Sequence, residues 1–209
     1  MMSILGILGT VHSDEMRKEY NFSLEKMAEI IKRFKPDIIC GEVRPEDWQK
    51  YCDTSEYTGY LGPNEYRKLI MPLCEKQGIR FIPVDWFEDD LVNIDYFRGK
   101  TDVEINSIEK QFESIMSIYM EVAKKSIIPF NSFEFNDIVE KKQDFQNGIN
   151  PTVHNLCWIY RNQIMIERIK RVLENNKGKR ILCTVGAEHT YFYFNNLNEE
   201  GWELIYPLS

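Results

Sequence analysis

Apolar residues along this chain follow two rhythms. Five short runs are nearly continuous: Ile4–Leu8, Asp37–Val43, Ile79–Val84, Arg180–Val185 and Trp202–Tyr206. Each is rich in β-branched or aromatic residues and bounded by Gly, Pro or charge, which predicts strands. Polar positions do not alternate through them, so both faces are expected to be covered, as in a parallel sheet. Elsewhere the spacing is helical. Ser23 stands as an N-cap before an amphipathic stretch that Pro36 closes. A second helical stretch ends near Gly78, with Pro72 inside it as the source of a kink. Strand–helix–strand–helix–strand over the first 85 residues is a βαβ pattern. The expectation is a single α/β domain over 1–209, with a mainly parallel central sheet of about five strands flanked by helices.

The rhythm breaks after the third strand. Residues 88–150 contain no buried-looking strand. Thr101 to Lys125 is a long amphipathic helix, and Ser132 to Gly148 is polar with scattered Phe. This segment reads as a helical insertion covering part of the sheet's ligand-binding edge, or as a solvated hairpin with no functional role. The next helix opens at Pro151. At about 100° per residue, Ile159, Ile166, Ile169 and Leu173 share an apolar sector, while His154, Trp158, Arg161, Met165 and Arg168 share a flanking one. His154 and Arg161 are therefore expected to point the same way. A covered guanidinium needs an anionic partner or a ligand.

Composition narrows the partners. The 209 residues are 43% hydrophobic and 28% charged, with a formal net charge of −7. That balance gives no reason to expect nucleic acid or an anionic membrane. No run approaches the roughly 18–20 apolar residues of a membrane span. The N-terminal apolar stretch lacks a basic flank and is broken by Gly6 and Gly9, so it reads as a strand and not as an export signal. Five cysteines without a CxxC suggest a reducing compartment, and a cytoplasmic location is expected.

Candidate chemistry starts from the three histidines. His12 follows Gly9 by three residues at the end of the first apolar run, and His189 follows Gly186 by three at the end of the fourth. With Gly at 11 of 209 positions, chance places it so before two of three histidines about 1% of the time. In an open α/β sheet, ligands bind beyond the carboxyl ends of the strands. Glu42 and Asp85 close the second and third runs, so all four side chains are expected on one rim if the strands are parallel and adjacent. His, His and carboxylate suit a divalent metal with open positions for water. Without metal, the same set places a His as general base beside a carboxylate.

Gly9-Thr10-Val11-His12, Pro36-Asp37-Ile38-Ile39-Cys40-Gly41-Glu42, Arg161-Asn162 and Val185-Gly186-Ala187-Glu188-His189 together resemble the motif order of the TraB/PrgY/GumN and Tiki superfamily. The resemblance spans nearly the whole chain and extends more distantly to erythromycin esterases and ChaN-like haem-binding proteins. It implies an α/β fold with the site at the C-terminal strand ends. The Tiki branch implies metal-dependent peptide hydrolysis, with His12, His189 and Glu42 holding a divalent ion such as Mn, Co or Zn. The esterase branch implies a His-activated water and no required metal, and the TraB and PrgY branch implies pheromone shutdown at the membrane. The chain departs from the pattern in segment 88–150 and in Glu188, at a place that is often small in the family. A secretion signal and C-terminal membrane helices, known from some branches, are not read in it.

The leading expectation is a hydrolase of a peptide, amide or ester bond in a small-molecule or peptide substrate. His12, His189 and Glu42 hold metal or activate water, while Arg161 binds a substrate carboxylate or steadies an oxyanion. His154 and Asp85 are candidates for substrate contact. The alternatives are a non-catalytic regulatory protein that binds a small ligand, haem or peptide on the same rim, and a metal-free His/Glu esterase.

Overall fold

The computed structural model describes residues 2–54, 56–91, 94–198 and 201–208. Strand β1 (Ser3–Thr10) leads into α1 (Asp14–Glu19) and α2 (Leu24–Phe34), then β2 (Ile38–Gly41) into α3 (Pro45–Asp53) and α4 (Met71–Gln77). Strand β3 (Arg80–Pro83) is followed by α5 (Asp102–Ala123) and α6 (Phe133–Ile149). Helices α7 (Pro151–His154) and α8 (Tyr160–Asn175) precede β4 (Arg180–Gly186), α9 (Thr190–Asn196) and β5 (Trp202–Ile205). All five expected strands form, and every pairing between them is parallel.

The sheet order is β3-β2-β4-β1-β5. Strand β4 therefore lies between β1 and β2, although it arrives last of the three. In register, Thr10 is opposite Gly186 and Gly41 is opposite Thr184. The residues that follow β1, β2 and β4 thus leave side by side from one edge.

Both faces of the inner strands β1, β2 and β4 are buried, which explains the missing alternation there. Leu5, Ile7, Ile38, Cys40, Ile181, Cys183 and Val185 face a core built with Met165, Ile166 and Ile169 of α8 and Tyr193 of α9. Leu8, Ile39 and Leu182 face the other core, with Ile30, Ile31 and Phe34 of α2 and Phe135 and Val139 of α6. Each such side chain contributes about 1.5–3 kcal/mol of transfer free energy. The helix ends follow local chemistry. Ser23 accepts from the Lys26 amide, and α2 stops at Lys35, in the left-handed region (φ 53°), before Pro36. Thr101 and Glu104 form a reciprocal capping box on α5.

Two helical stretches depart from a simple α-helix. A π-helical turn at Tyr66–Ile70 runs directly into α4, where Pro72 stands in the first turn, and a second at Asn155–Ile159 separates α7 from α8. Segment 88–150 is docked on the sheet: Ala123, Phe130, Phe135 and Val139 are buried in the α2-side core. Asn131, between α5 and α6, accepts from Gly9 N at 2.7 Å and donates to Gly9 O at 3.0 Å. No helix among the described residues is long and apolar enough to cross a membrane.

Candidate functional site

The edge above β1, β2 and β4 collects the charged residues. His12 sits two residues past β1, Glu42 directly after β2, Asp85 two residues past β3, and His189 closes a 3-10 turn (Ala187–His189) after β4. Arg161 reaches this rim from the first turn of α8. Its Nε and Nη2 donate to Asp85 at 2.8 and 2.9 Å, and Nη2 also donates to Glu42 Oε1 at 2.5 Å. Both acceptors are buried, Asp85 at 0% and Glu42 at 3% exposure. A lone buried carboxylate is costly, so the guanidinium is what permits two of them here.

Glu42 has a donor on each oxygen, because Gly186 N–H donates to Oε2 at 2.6 Å. Burial pushes its pKa up, but the charges of Arg161, His189 and His12 and a hydrogen bond from His189 hold it well below the usual carboxylate range. Its own amide donates to the Tyr66 hydroxyl at 2.6 Å, and that hydroxyl donates to Thr184 O at 2.5 Å. The carboxylate is thus fixed from two strands and two helices.

The histidines are pinned in matching ways. His12 Nδ1 lies 2.7 Å from Glu65 Oε1, a fully buried carboxylate that also accepts from Thr10 Oγ1 at 3.0 Å and Arg17 Nη1 at 3.3 Å. His189 Nδ1 lies 2.7 Å from Asn162 Oδ1, while Asn162 Nδ2 donates to Trp158 O, which fixes the amide's orientation. Both acceptors place a proton on Nδ1. Each Nε2 faces Glu42, at 3.7 Å for His12 and 3.6 Å for His189. A proton on either Nε2 is directed at the Glu42 carboxylate.

The two rings differ in access. The His12 side chain is 40% exposed and that of His189 5%. The His189 ring is stacked on Trp158, with centroids 4.4 Å apart and planes at 17°. Burial pushes the His12 pKa down, but its Glu65 hydrogen bond and the charges of Glu42 and Glu65 outweigh that and the repulsion of Arg161. The net shift is upward from 6.5.

His12, Glu42 and Arg161 stand where two cavities meet. The larger, about 750 Å³, is walled by Tyr60, Trp86, Phe87, Leu91, Tyr96 and Leu156. The smaller, about 400 Å³, is bounded by Met16, Tyr119, Trp158, Glu188 and His189. Tyr119 belongs to α5, so segment 88–150 forms part of the wall.

The rim thus brings together His12, Glu42, Asp85, Arg161 and His189, and sets His154 apart. His154 is buried and lies 3.5 Å from the Tyr96 hydroxyl, bordering neither cavity. The cause is the π-helical turn between it and Arg161, which adds one residue to that turn and rotates what precedes it by about 100°. From Trp158, near the end of that turn, onward the expected sector holds: Trp158 stacks on His189, Arg161 binds the acids, and Arg168 donates to Asp85 O. Glu188 points into a separate pair, 2.5 Å from Lys142 Nζ and 3.0 Å from Gln143 Nε2.

Sequence reasoning missed Glu65 and Tyr66, and singled out Asn162 only as part of the Arg161-Asn162 motif, without a role of its own. Glu65 opens the Pro72-containing helical stretch and reads there as an ordinary exposed acid of a first turn. Asn162 carried one usable signal, its place beside Arg161.

As placed, the residues do not form a metal ligand set. Among the described residues no three His, Cys, Asp or Glu side chains have that geometry. Both Glu42 oxygens already accept from Arg161 and Gly186, which leaves two open imidazole nitrogens. No protein-family model, curated protein or solved structure matches the chain.

Proposed function

We propose that this chain is a hydrolase of ester, amide or peptide bonds in which His12 activates water without a metal ion. One observation carries the reading: His12 Nδ1 is held at 2.7 Å by the buried Glu65 carboxylate while the His12 ring, 40% exposed, lines both cavities. A carboxylate behind an imidazole fixes the tautomer and stabilises the imidazolium that forms on proton uptake. In the reaction, His12 Nε2 takes a proton from water as the water oxygen bonds to the carbonyl carbon. The carbonyl electron pair moves onto oxygen, and the cationic Arg161 stabilises that oxyanion. As the C–O or C–N bond breaks, His12 returns the proton to the leaving group. Small-molecule or peptide substrates and a cytoplasmic setting belong to the same proposal.

Glu42 and Asp85 take up Arg161 Nε and Nη2 and pair its charge, which favours a single hydrogen bond from Nη1 to an oxyanion over bidentate binding of a substrate carboxylate. A metal-dependent version of the same hydrolysis requires Arg161 to release Glu42 Oε1 first. The test is turnover of a panel of esters, amides and peptides, with and without a chelator. Turnover that survives chelation and disappears in His12→Ala is the expected result. Turnover lost on chelation and restored by Mn, Co or Zn replaces the metal-free reading with the metal-dependent one. A panel with no turnover, together with ligand retention, assigns the rim to a binding protein.

A further inference from the structure

We infer that the larger cavity selects a bulky, apolar, uncharged acyl group, leaving the shorter alcohol or amine portion for the smaller cavity. This rests on the hydrolytic reading for its chemistry, but its selectivity is a property of the walls. Phe87, Leu91 and Leu156 line the larger cavity together with Tyr60 and Trp86. Its volume of about 750 Å³ lies in the range of small-molecule sites. Two of its wall residues, Tyr60 and Leu156, are large apolar side chains left 47% and 38% exposed. Such side chains at a cavity mouth are unburied by the fold itself, and an apolar ligand would cover them.

Charge sets the second half of the selection. Two arginines line this cavity, and neither is free. Arg161 is bound by Glu42 and Asp85. Arg44 is bound by Asp47 at 2.6 Å and Asp89 at 3.0 Å, with its guanidinium 4.4 Å from the Phe87 ring centroid. A carboxylate entering this space finds no unpaired cation and meets two carboxylates of the lining, Glu42 and Asp89, so its desolvation goes uncompensated. An alkyl or aromatic group meets the opposite situation, gaining up to about fourfold in affinity per methylene buried. The division of the site into two unequal chambers at His12 and Arg161 puts the carbonyl carbon at their junction. The larger group then falls on the Phe87 side.

Two measurements test this. The first is calorimetric binding of 2-octanone, 2-butanone and octanoate, none of which can be hydrolysed. 2-Octanone is expected to bind at least about tenfold tighter than either of the others, and Leu156→Asp, a change at an exposed rim, to remove most of that advantage. Octanoate binding as tightly as 2-octanone, or 2-butanone matching it, overturns the inference. The second is kcat/KM for p-nitrophenyl acetate, butyrate and octanoate, expected to rise at least about tenfold along the series. Equal or falling values overturn the acyl assignment while leaving the hydrolase reading intact. The expected ketone selectivity without turnover of any ester does the reverse: the apolar cavity stands and the hydrolytic reading falls.

Discussion

Glu65 is fully buried and holds His12 at Nδ1, so it acts on the reaction through another residue. Replacing it with Gln keeps the shape and removes the charge that raises the His12 pKa. A general base must be neutral, so activity rises with pH through that pKa. In Glu65→Gln the acid limb of the kcat/KM profile is expected to move to lower pH, and kcat to fall about a hundredfold. A merely structural Glu65 would lower stability and leave the midpoint of that limb in place. Arg161 presents the opposite case, a charge whose removal is felt first in stability. Arg161→Met leaves Glu42 and Asp85 buried without their cation, and is expected to cost about 3–5 kcal/mol in urea unfolding. Adding Glu42→Gln and Asp85→Asn should recover a substantial part of that loss. A triple variant no more stable than Arg161→Met rules out the charge argument.

At the scale of elements, the two Gly-x-x-His stretches look alike in sequence and differ in what their glycines do. A Cβ on Gly186 would stand 2.8 Å from His12 Nε2, at the end of a side chain. A Cβ on Gly9 would stand 2.9 Å from Thr190 Cγ2 and 3.0 Å from the Ala187 Cα, which is backbone. Gly186→Ala is therefore expected to displace the His12 ring, reducing activity at least about tenfold with a small change in Tm, since only a side chain must give. Gly9→Ala must push α9's leading turn off β1 and is expected to cost about 1–3 kcal/mol. Equal loss of stability in both variants would contradict this division. The same scale explains what could be read in advance. Strands covered on both faces write themselves as unbroken apolar runs, so β1, β2 and β4 were legible as such, and the edge strands β3 and β5 from their β-branched and aromatic residues; the nearness of His12 to His189 followed only on the condition that β1 and β4 pair. The two π-helical turns left no such trace. The one at Asn155–Ile159 spoiled the placement of His154, because a periodicity argument assumes the same rotation at every residue. Glu65 was hidden for a different reason: its burial is made by Thr10, His12 and Arg17, about 50 residues away in sequence.

For the whole molecule, the histidines tie stability to pH in opposing directions. His12 is held by Glu65 and Glu42 with its pKa above 6.5. Its contribution is fully present below the unfolded value and is lost as pH rises through the folded one. His154 is buried against the inserted segment, and burial lowers its pKa despite the pull of Asp144. The folded state keeps it neutral, so its contribution is present above 6.5 and is lost as pH falls. Between about pH 5 and 8 the two slopes oppose each other, and Tm of the wild-type protein is expected to change little on their account. Removing either partner unmasks the other. In His12→Ala, Tm should fall more steeply than in the wild type as pH is lowered across this window. In His154→Ala the whole curve should sit lower, because a buried side chain is lost, but Tm should now fall as pH is raised. Calorimetric scans across the window read the sign of each slope independently of the overall loss. Slopes of the same sign in both variants would mean that these two environments do not control the titration. The comparison reaches the fold as well as the site. One histidine reports on the rim above β1, β2 and β4, and the other on how firmly segment 88–150 closes over α7.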